Sequence, residues 1–241
     1  MTERRFFLEH KVKDFEIIDN EEFNHLKNVL RLGVGDNITL VCGDGWDYHA
    51  KIVDICKREA KVEVFERVKN NNDPKLKVTL FLGVVKNDSF SSITTRMSEL
   101  GVSAIVPFQC ERSGLKSSDV KIEKMQKVAN MAIKQCDMST PLKVYNVCSF
   151  DDMLKQLQGF DEVFFAYEAK EASAINLHPN GTNIAVIVGP IGGFSDREAN
   201  TIKNIANVKC TSLGRRIMRV ETACASIVAV LMYESGEWNL K

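Results

Sequence analysis

Hydrophobic positions change their rhythm near residue 70. Before it, Asn37–Cys42, Asp47–Ile55 and Ala60–Arg67 are short stretches rich in β-formers, separated by turn signals at Gly33–Asp36 and Gly43–Gly45. Short strands with glycine turns predict a small β-barrel. One helix, over Asn20–Arg31 with Leu26, Val29 and Leu30 on its apolar face, interrupts them. Beyond residue 77 the apolar runs Val78–Val85, Ala104–Phe108, Glu162–Tyr167, Ile184–Val188 and Lys209–Leu213 read as buried strands. Helical patterns lie between them, at Ser89–Leu100, Ile122–Cys136, Phe150–Gln158 and Ser195–Ile205. Strands alternating with helices predict an α/β domain, a parallel sheet covered on both faces. Val220–Glu234 is apolar on nearly every side, which predicts a helix buried all round, in the core or in a subunit interface. The polar stretch Lys69–Lys77, KNNNDPKLK, separates the two rhythms. The expected organisation is therefore a barrel over 1–70, a linker over 71–77 and an α/β domain over 78–241.

Composition narrows the class. The 241 residues are 44% hydrophobic and 27% charged, ordinary for a globular protein with a sizeable core. Lys+Arg and Asp+Glu are 32 each, so no overall basic balance points to nucleic acid, and any RNA contact must come from local patches. Seven cysteines (Cys42, Cys56, Cys110, Cys136, Cys148, Cys210 and Cys224) include no C-x-x-C pair and stand with four histidines. That excludes a zinc framework and a secreted disulfide scaffold, and predicts reduced, mostly buried thiols. The opening MTERRFFLEHKV lacks the long apolar region of a signal peptide. The longest apolar stretch, near Ala223–Tyr233, is too short to span a bilayer. The expectation is a cytoplasmic protein with no membrane contact.

Two segments carry candidate chemistry. In Ile184–Phe194, IAVIVGPIGGF, a buried strand runs into a loop with Gly189, Gly192 and Gly193, and then into a helix opened by the capping box Ser195-Asp196-Arg197-Glu198. Glycines let backbone approach a ligand, and N–H groups at a helix start favour polar or anionic groups. A tight strand-to-helix turn explains the same residues. The spacing is neither the dinucleotide fingerprint nor a P-loop. The loop also follows the fourth strand of its domain, whereas a nucleotide-binding α/β domain places it after the first. In Leu213–Ala223, LGRRIMRVETA, a turn at Gly214 leads through Arg215, Arg216 and Arg219 to Glu221 and Thr222. Arginine offers a planar donor fork for phosphate or a carbonyl edge. Arg219 sits just before an apolar helix, where an idle charge would be costly, and Glu221 is a natural partner.

Together these residues resemble the RsmE-type methyltransferases of the SPOUT superfamily over nearly the whole chain. At the N-terminus, Arg5-Phe6-Phe7, His25-Leu26, Val29-Leu30-Arg31, Gly35-Asp36 and Asp44-Gly45 are similar to that family's PUA-like β-barrel. Lys86, Glu99-Leu100-Gly101-Val102, Glu111-Arg112-Ser113 and Gln135-Cys136 look like its middle landmarks, and GPIGGFS and LGRRIMRVETA like its two cofactor loops. The resemblance implies a trefoil-knotted SPOUT α/β domain that forms a homodimer through the knot. It implies methylation of N3 of one uridine in bacterial small-subunit (16S) ribosomal RNA, with S-adenosylmethionine (SAM) as methyl donor and no metal. The implied SAM pocket is lined by Tyr167, Gly189, Pro190, Ile191, Gly192, Gly193, Leu213, Gly214, Ile217 and Met218. Arg219, oriented by Glu221, is the candidate catalytic group. Arg4, Arg5, Arg31, Lys86, Arg112 and Arg216 are candidates for ribosomal RNA contact, each with a solvated surface charge as the plain alternative. Three positions depart from the family pattern. Ile191 stands where Glu is usual, Met138 where Arg commonly follows the Gln-Ser/Cys element, and Lys124-Met125 in place of Arg-Trp. The competing classes are an RNA-binding assembly protein without catalysis, prompted by Ile191, and an α/β enzyme holding a nucleotide or another phosphate ligand at Gly189–Gly193.

Overall fold

The computed structural model describes residues 4–167 and 177–239. The chain divides into two units, and the division does not follow the sequence. One unit runs to Asp73 and takes in Asn130–Pro141; the other holds Pro74–Ala129 and the residues from Leu142 on. The expected boundary, a single linker over 71–77, is thus only one of the crossings between them. Residues 130–141, read from sequence as part of the α/β domain, belong with the barrel.

The first unit contains β1 (Arg5–Phe7), β2 (Phe15–Asp19), α1 (Asn20–Asn24), β3 (Asn37–Val41), β4 (Trp46–Ile55) and β5 (Glu59–Lys69). Its five strands pair in the order β1-β3-β4-β5-β2, with only β1 and β3 parallel. Alternation along β4 buries Tyr48, Ala50 and Ile52 against Phe6, Ile18, Leu26, Leu40 and Val62. The helix expected over Asn20–Arg31 is α-helical only to Asn24, continues as a π-turn over His25–Val29, and ends with Arg31 in the left-handed region, φ +55°.

Residues 130–141 are bound to this barrel by two kinds of contact. Ile133 and Met138 pack with Val41, Phe7 and Cys136. Arg5, 3% exposed, donates to both Asp47 oxygens (2.9 and 2.8 Å), to the Met138 carbonyl (3.0 Å) and to Ser139 Oγ (2.9 Å). Asp47 also accepts from Ser139 and from Asn70, whose amide in turn donates to the Asp137 carbonyl. A buried charge is tolerated only when paired and hydrogen-bonded in this way. Arg5, expected among the RNA contacts, is therefore a structural residue, because its guanidinium is buried and its terminal nitrogens are bound to Asp47, Met138 and Ser139.

The second unit contains β6 (Lys77–Gly83), α2 (Asn87–Glu99), β7 (Ala104–Gln109), α3 (Ile122–Ala132, whose last residues belong to the first unit), β8 (Lys143–Val144), β9 (Cys148–Ser149), α4 (Phe150–Leu157), β10 (Glu162–Ala166), β11 (Asn183–Val188), α5 (Asp196–Lys203), β12 (Val208–Thr211) and α6 (Val220–Glu234). The sheet order is β12-β10-β11-β6-β7-β8, with β9 also on β7, and every pairing is parallel. Alternate residues of β6 supply two core layers. Leu80 and Leu82 pack with Phe90, Ile93 and Ile227 on one face; Phe81 packs with Phe108, Phe165 and Ile187 on the other. This two-faced burial accounts for the continuous apolar runs in sequence. The final helix α6 buries one face, with Cys224, Ile227, Val228, Leu231 and Met232, while Tyr233 is exposed. It is not buried all round in the chain alone. The thiols also differ from expectation. None of the seven is in a disulfide, but only Cys110 and Cys224 are buried, and Cys56 is exposed. Among the described residues no helix is long and apolar enough to cross a membrane.

Candidate active site

A cavity of about 810 Å³ opens where β10 and β11 end and the chain leaves β12. Ligand sites of open α/β sheets gather at the carboxyl ends of strands. Three connections form it. The end of β10 brings Ala166 and Tyr167, the loop after β11 brings Gly189–Phe194, and the loop after β12 brings Leu213, Gly214 and Arg216–Arg219 into the start of α6. The glycine loop is a tight turn in which Gly193, at φ +66°, donates its N–H to the Pro190 carbonyl at 2.9 Å. A side chain at that φ would be strained. α5 then starts with both halves of the expected capping box, Ser195 accepting from the Glu198 N–H and Glu198 accepting from the Ser195 N–H.

All ten residues expected to hold the cofactor line this one cavity: Tyr167, the run Gly189, Pro190, Ile191, Gly192, Gly193, and Leu213, Gly214, Ile217 and Met218. Arg216, Arg219 and Glu221 line it too. Ile191 and Ile217 are 72% and 85% exposed, so each stands at the rim rather than filling the interior. Six further lining residues were not anticipated: Ser89, Ala166, Val188, Phe194, Val220 and Ala223. Ser89 had a signal available, since it opens the helix after the first strand of the sheet. Phe194, Val220 and Ala223 lie within the two quoted loop motifs, while Ala166 and Val188 end the strands beside Tyr167 and Gly189 and had no signal of their own.

The charges differ from expectation in two respects. Arg219 is exposed and is the N-cap of α6. The cost of burying an idle charge therefore does not single it out; its place on the cavity wall does. Glu221 is lowered from the ordinary carboxylate value first by a hydrogen bond from Ser89, then by its own backbone N–H at the helix start. Burial opposes this, and Arg219 and Arg96 act as more distant positive charges. Ser89, not Arg219, is the leading partner of Glu221, and no ion pair joins Arg219 to Glu221 among the described residues.

Of the other cationic candidates in this unit, Arg216 is on the cavity wall, exposed Arg112 follows β7, and exposed Lys86 immediately precedes α2. In the barrel unit Arg31 is exposed and Arg4 pairs with Asp36 at 2.8 Å.

A volume of this size falls in the range of about 300–1,000 Å³ typical of small-molecule sites. Its lining combines the glycine loop, apolar side chains and the charged Arg216, Arg219 and Glu221, which suits a small ligand with both apolar and charged parts.

The model of the RNA methyltransferase domain family matches residues 71–232, and that of the RNA methyltransferase PUA domain matches residues 18–65. The chain belongs to the RNA methyltransferase family. Its fold is that family's, a PUA-like barrel with an α/β methyltransferase unit. The ribosomal RNA small subunit methyltransferase E of Bacillus subtilis is 30% identical, over 96% of this chain and 97% of that protein. The protein of the same name from Mesomycoplasma hyopneumoniae is 30% identical over 91% of this chain and 94% of its own length. The crystal structure of a ribosomal RNA small subunit methyltransferase E from Neisseria gonorrhoeae bound to S-adenosyl methionine is 25% identical. It superposes with a TM-score of 0.84 over 96% of this chain and 97% of that one.

Proposed function

We propose that this protein methylates N3 of a specific uridine in bacterial small-subunit (16S) ribosomal RNA, using SAM bound at the cavity after β10, β11 and β12. The observation that carries the reading is the convergence of two sequence-distant loops, Gly189–Gly193 and Leu213–Met218, with Tyr167 on one cavity in a chain of this family. SAM supplies a methyl already activated on a sulfonium. What remains for the protein is to bind, to align and to manage charge. The backbone of the glycine loop and of Leu213–Met218 holds the donor, with Tyr167 and Met218 as apolar walls. Arg219 places its guanidinium beside O2 or O4 of the acceptor uracil and stabilises the negative charge that grows on the ring as N3 loses its proton to water. Glu221, its carboxyl lowered by the Ser89 hydrogen bond, suits a counter-charge to a cationic ligand better than a proton acceptor.

Arg4, Arg31, Lys86, Arg112 and Arg216 are the proposed contacts to ribosomal RNA. The substrate is read as RNA within a small-subunit particle. The α/β unit is read as trefoil-knotted and homodimeric, the partly covered face of α6 serving the interface, and the protein as cytoplasmic. Calorimetry with SAM, followed by methylation of small-subunit particles from cells lacking the protein, tests the core of this reading. A protein that binds such particles but not SAM would instead be an RNA-binding assembly factor.

A further inference from the structure

A capping-box glutamate is ordinarily a surface group, and Glu198 is not. It is 1% exposed, and its two oxygens face different parts of the chain. Oε2 accepts from the N–H (2.9 Å) and Oγ (3.2 Å) of Ser195, at the end of the cofactor loop. Oε1 accepts at 2.8 Å from the N–H of Glu111, in the turn that follows β7. That turn is closed on itself, with the Cys110 N–H donating to Ser113 Oγ at 3.0 Å. Arg112 is at its tip, exposed. Glu111 is tied back to α5 by Arg197, which donates to one carboxylate oxygen from Nε (3.0 Å) and from a terminal nitrogen (2.7 Å). The backbones also meet directly. A Cβ at Gly192 would lie 2.9 Å from the Arg112 carbonyl oxygen, so only glycine fits against this turn. One buried carboxylate and one glycine contact thus join the cofactor loop to the turn that presents Arg112.

We propose that Glu198 is a positioning residue through which the methyl donor and the acceptor RNA sense each other. The inference rests on the proposed reading of the cavity as the SAM site and of Arg112 as an RNA contact. Neither Glu111 nor Ser195 moves without pulling on the same carboxylate. A donor that orders Gly189–Gly193 therefore also orders the turn at Arg112, and RNA held by Arg112 orders the cofactor loop. Such coupling is reciprocal, each ligand raising the affinity of the other by the same factor. The buried charge is costly for a mere helix cap, which an exposed side chain serves equally well.

The test is the affinity of SAM measured by calorimetry with and without small-subunit particles, in the full chain and three variants. The wild type is expected to bind SAM about five- to tenfold more tightly when the particle is present. Glu198→Gln keeps the volume but must set an amide N–H₂ against one of the two N–H donors, and it should bring that ratio close to one. Gly192→Ala forces the two backbones apart from the opposite side and should do the same. Ser195→Ala removes part of the helix cap but leaves the bridge from Glu198 to Glu111. It should lower the melting temperature and keep the ratio. A merely structural Glu198 would lower stability in Glu198→Gln without changing the ratio, and that result overturns the inference, as does a wild type whose SAM affinity ignores the particle. A wild type that binds no SAM under either condition overturns the proposed function itself.

Discussion

Replacing Arg5 by methionine tests the buried pairing that binds residues 130–141 to the barrel. Methionine fills much of the volume and supplies no donor. The change removes two bonds to Asp47, one to the Met138 carbonyl and one to Ser139 Oγ, and strands a carboxylate whose side chain is only 16% exposed. Removing one partner of a buried pair costs about 3–5 kcal/mol. Asp47 keeps Ser139 and Asn70 as donors, which places the expected loss near the lower end, about 3 kcal/mol. Asp47 also gives the loss a pH signature. Burial pushes its carboxyl up, but hydrogen bonds from Arg5, Ser139 and Asn70 outweigh this and hold it below the ordinary 3.8. A carboxyl lowered by folding contributes stability above its unfolded pKa and loses it as pH falls through the folded one. The difference between wild type and Arg5→Met should therefore be full at pH 7 and shrink below about pH 4. Urea unfolding followed through Trp46, beside Asp47, in a Trp238→Phe background reads the barrel. A loss under about 1 kcal/mol at pH 7, typical of an exposed pair, would refute the reasoning, as would a difference that persists unchanged in acid.

Other expectations follow from the cavity. Arg219→Ala should lower kcat for RNA methylation about 10²–10³-fold while SAM affinity by calorimetry changes little, since the guanidinium acts on charge that develops in the acceptor; a wild-type rate would remove Arg219 from its role. Ser89→Ala removes the leading donor to Glu221, so its carboxyl rises toward the ordinary value; the acid limb of the pH–rate profile should move to higher pH, and an unmoved limb would mean that Glu221 is not coupled to the reaction. Gly193→Ala, at φ +66°, should cost the loop about 1–2 kcal/mol and weaken SAM binding roughly tenfold. Arg31→Gly should stabilise the barrel by up to about 1 kcal/mol, because Arg31 occupies a left-handed position that glycine fills without strain. If Arg31 touches a phosphate, the same variant should reduce the salt slope of RNA binding by about one; an unchanged slope would make Arg31 a bystander.

Much of the fold was legible because one physical rule governed each part. Continuous apolar runs flanked by helical patterns announced a sheet buried on both faces, and the capping box at Ser195 placed the start of α5. The cavity wall was legible for a different reason. Two glycine- and arginine-bearing loops carried enough ordered residues to resemble a family, and family membership, not periodicity, brought them together. What stayed hidden was long-range. Nothing local in Asn130–Pro141 says that it packs on the barrel, since Met138 and Ser139 are bonded to Arg5, 133 and 134 positions away, and Ser139 also to Asp47, 92 positions away. The same distance turned Arg5 from an apparent surface cation into a buried one. Arg219 and Glu221, two residues apart, invited a pairing that helix geometry does not favour, and Ser89 took the place given to Arg219. Glu198 was recognised as half of a cap, but its second oxygen bonds a residue 87 positions away, which no spacing rule reveals.

The central claim is a methyl transfer to one base, and mapping the product tests it most directly. Small-subunit particles from cells lacking this protein would be incubated with the purified chain and SAM carrying a labelled methyl, and the labelled nucleoside identified by mass spectrometry. The account predicts a single labelled uridine methylated at N3, with the label lost in Arg219→Ala. Label on a ribose, label on another base, or no label at all would contradict it.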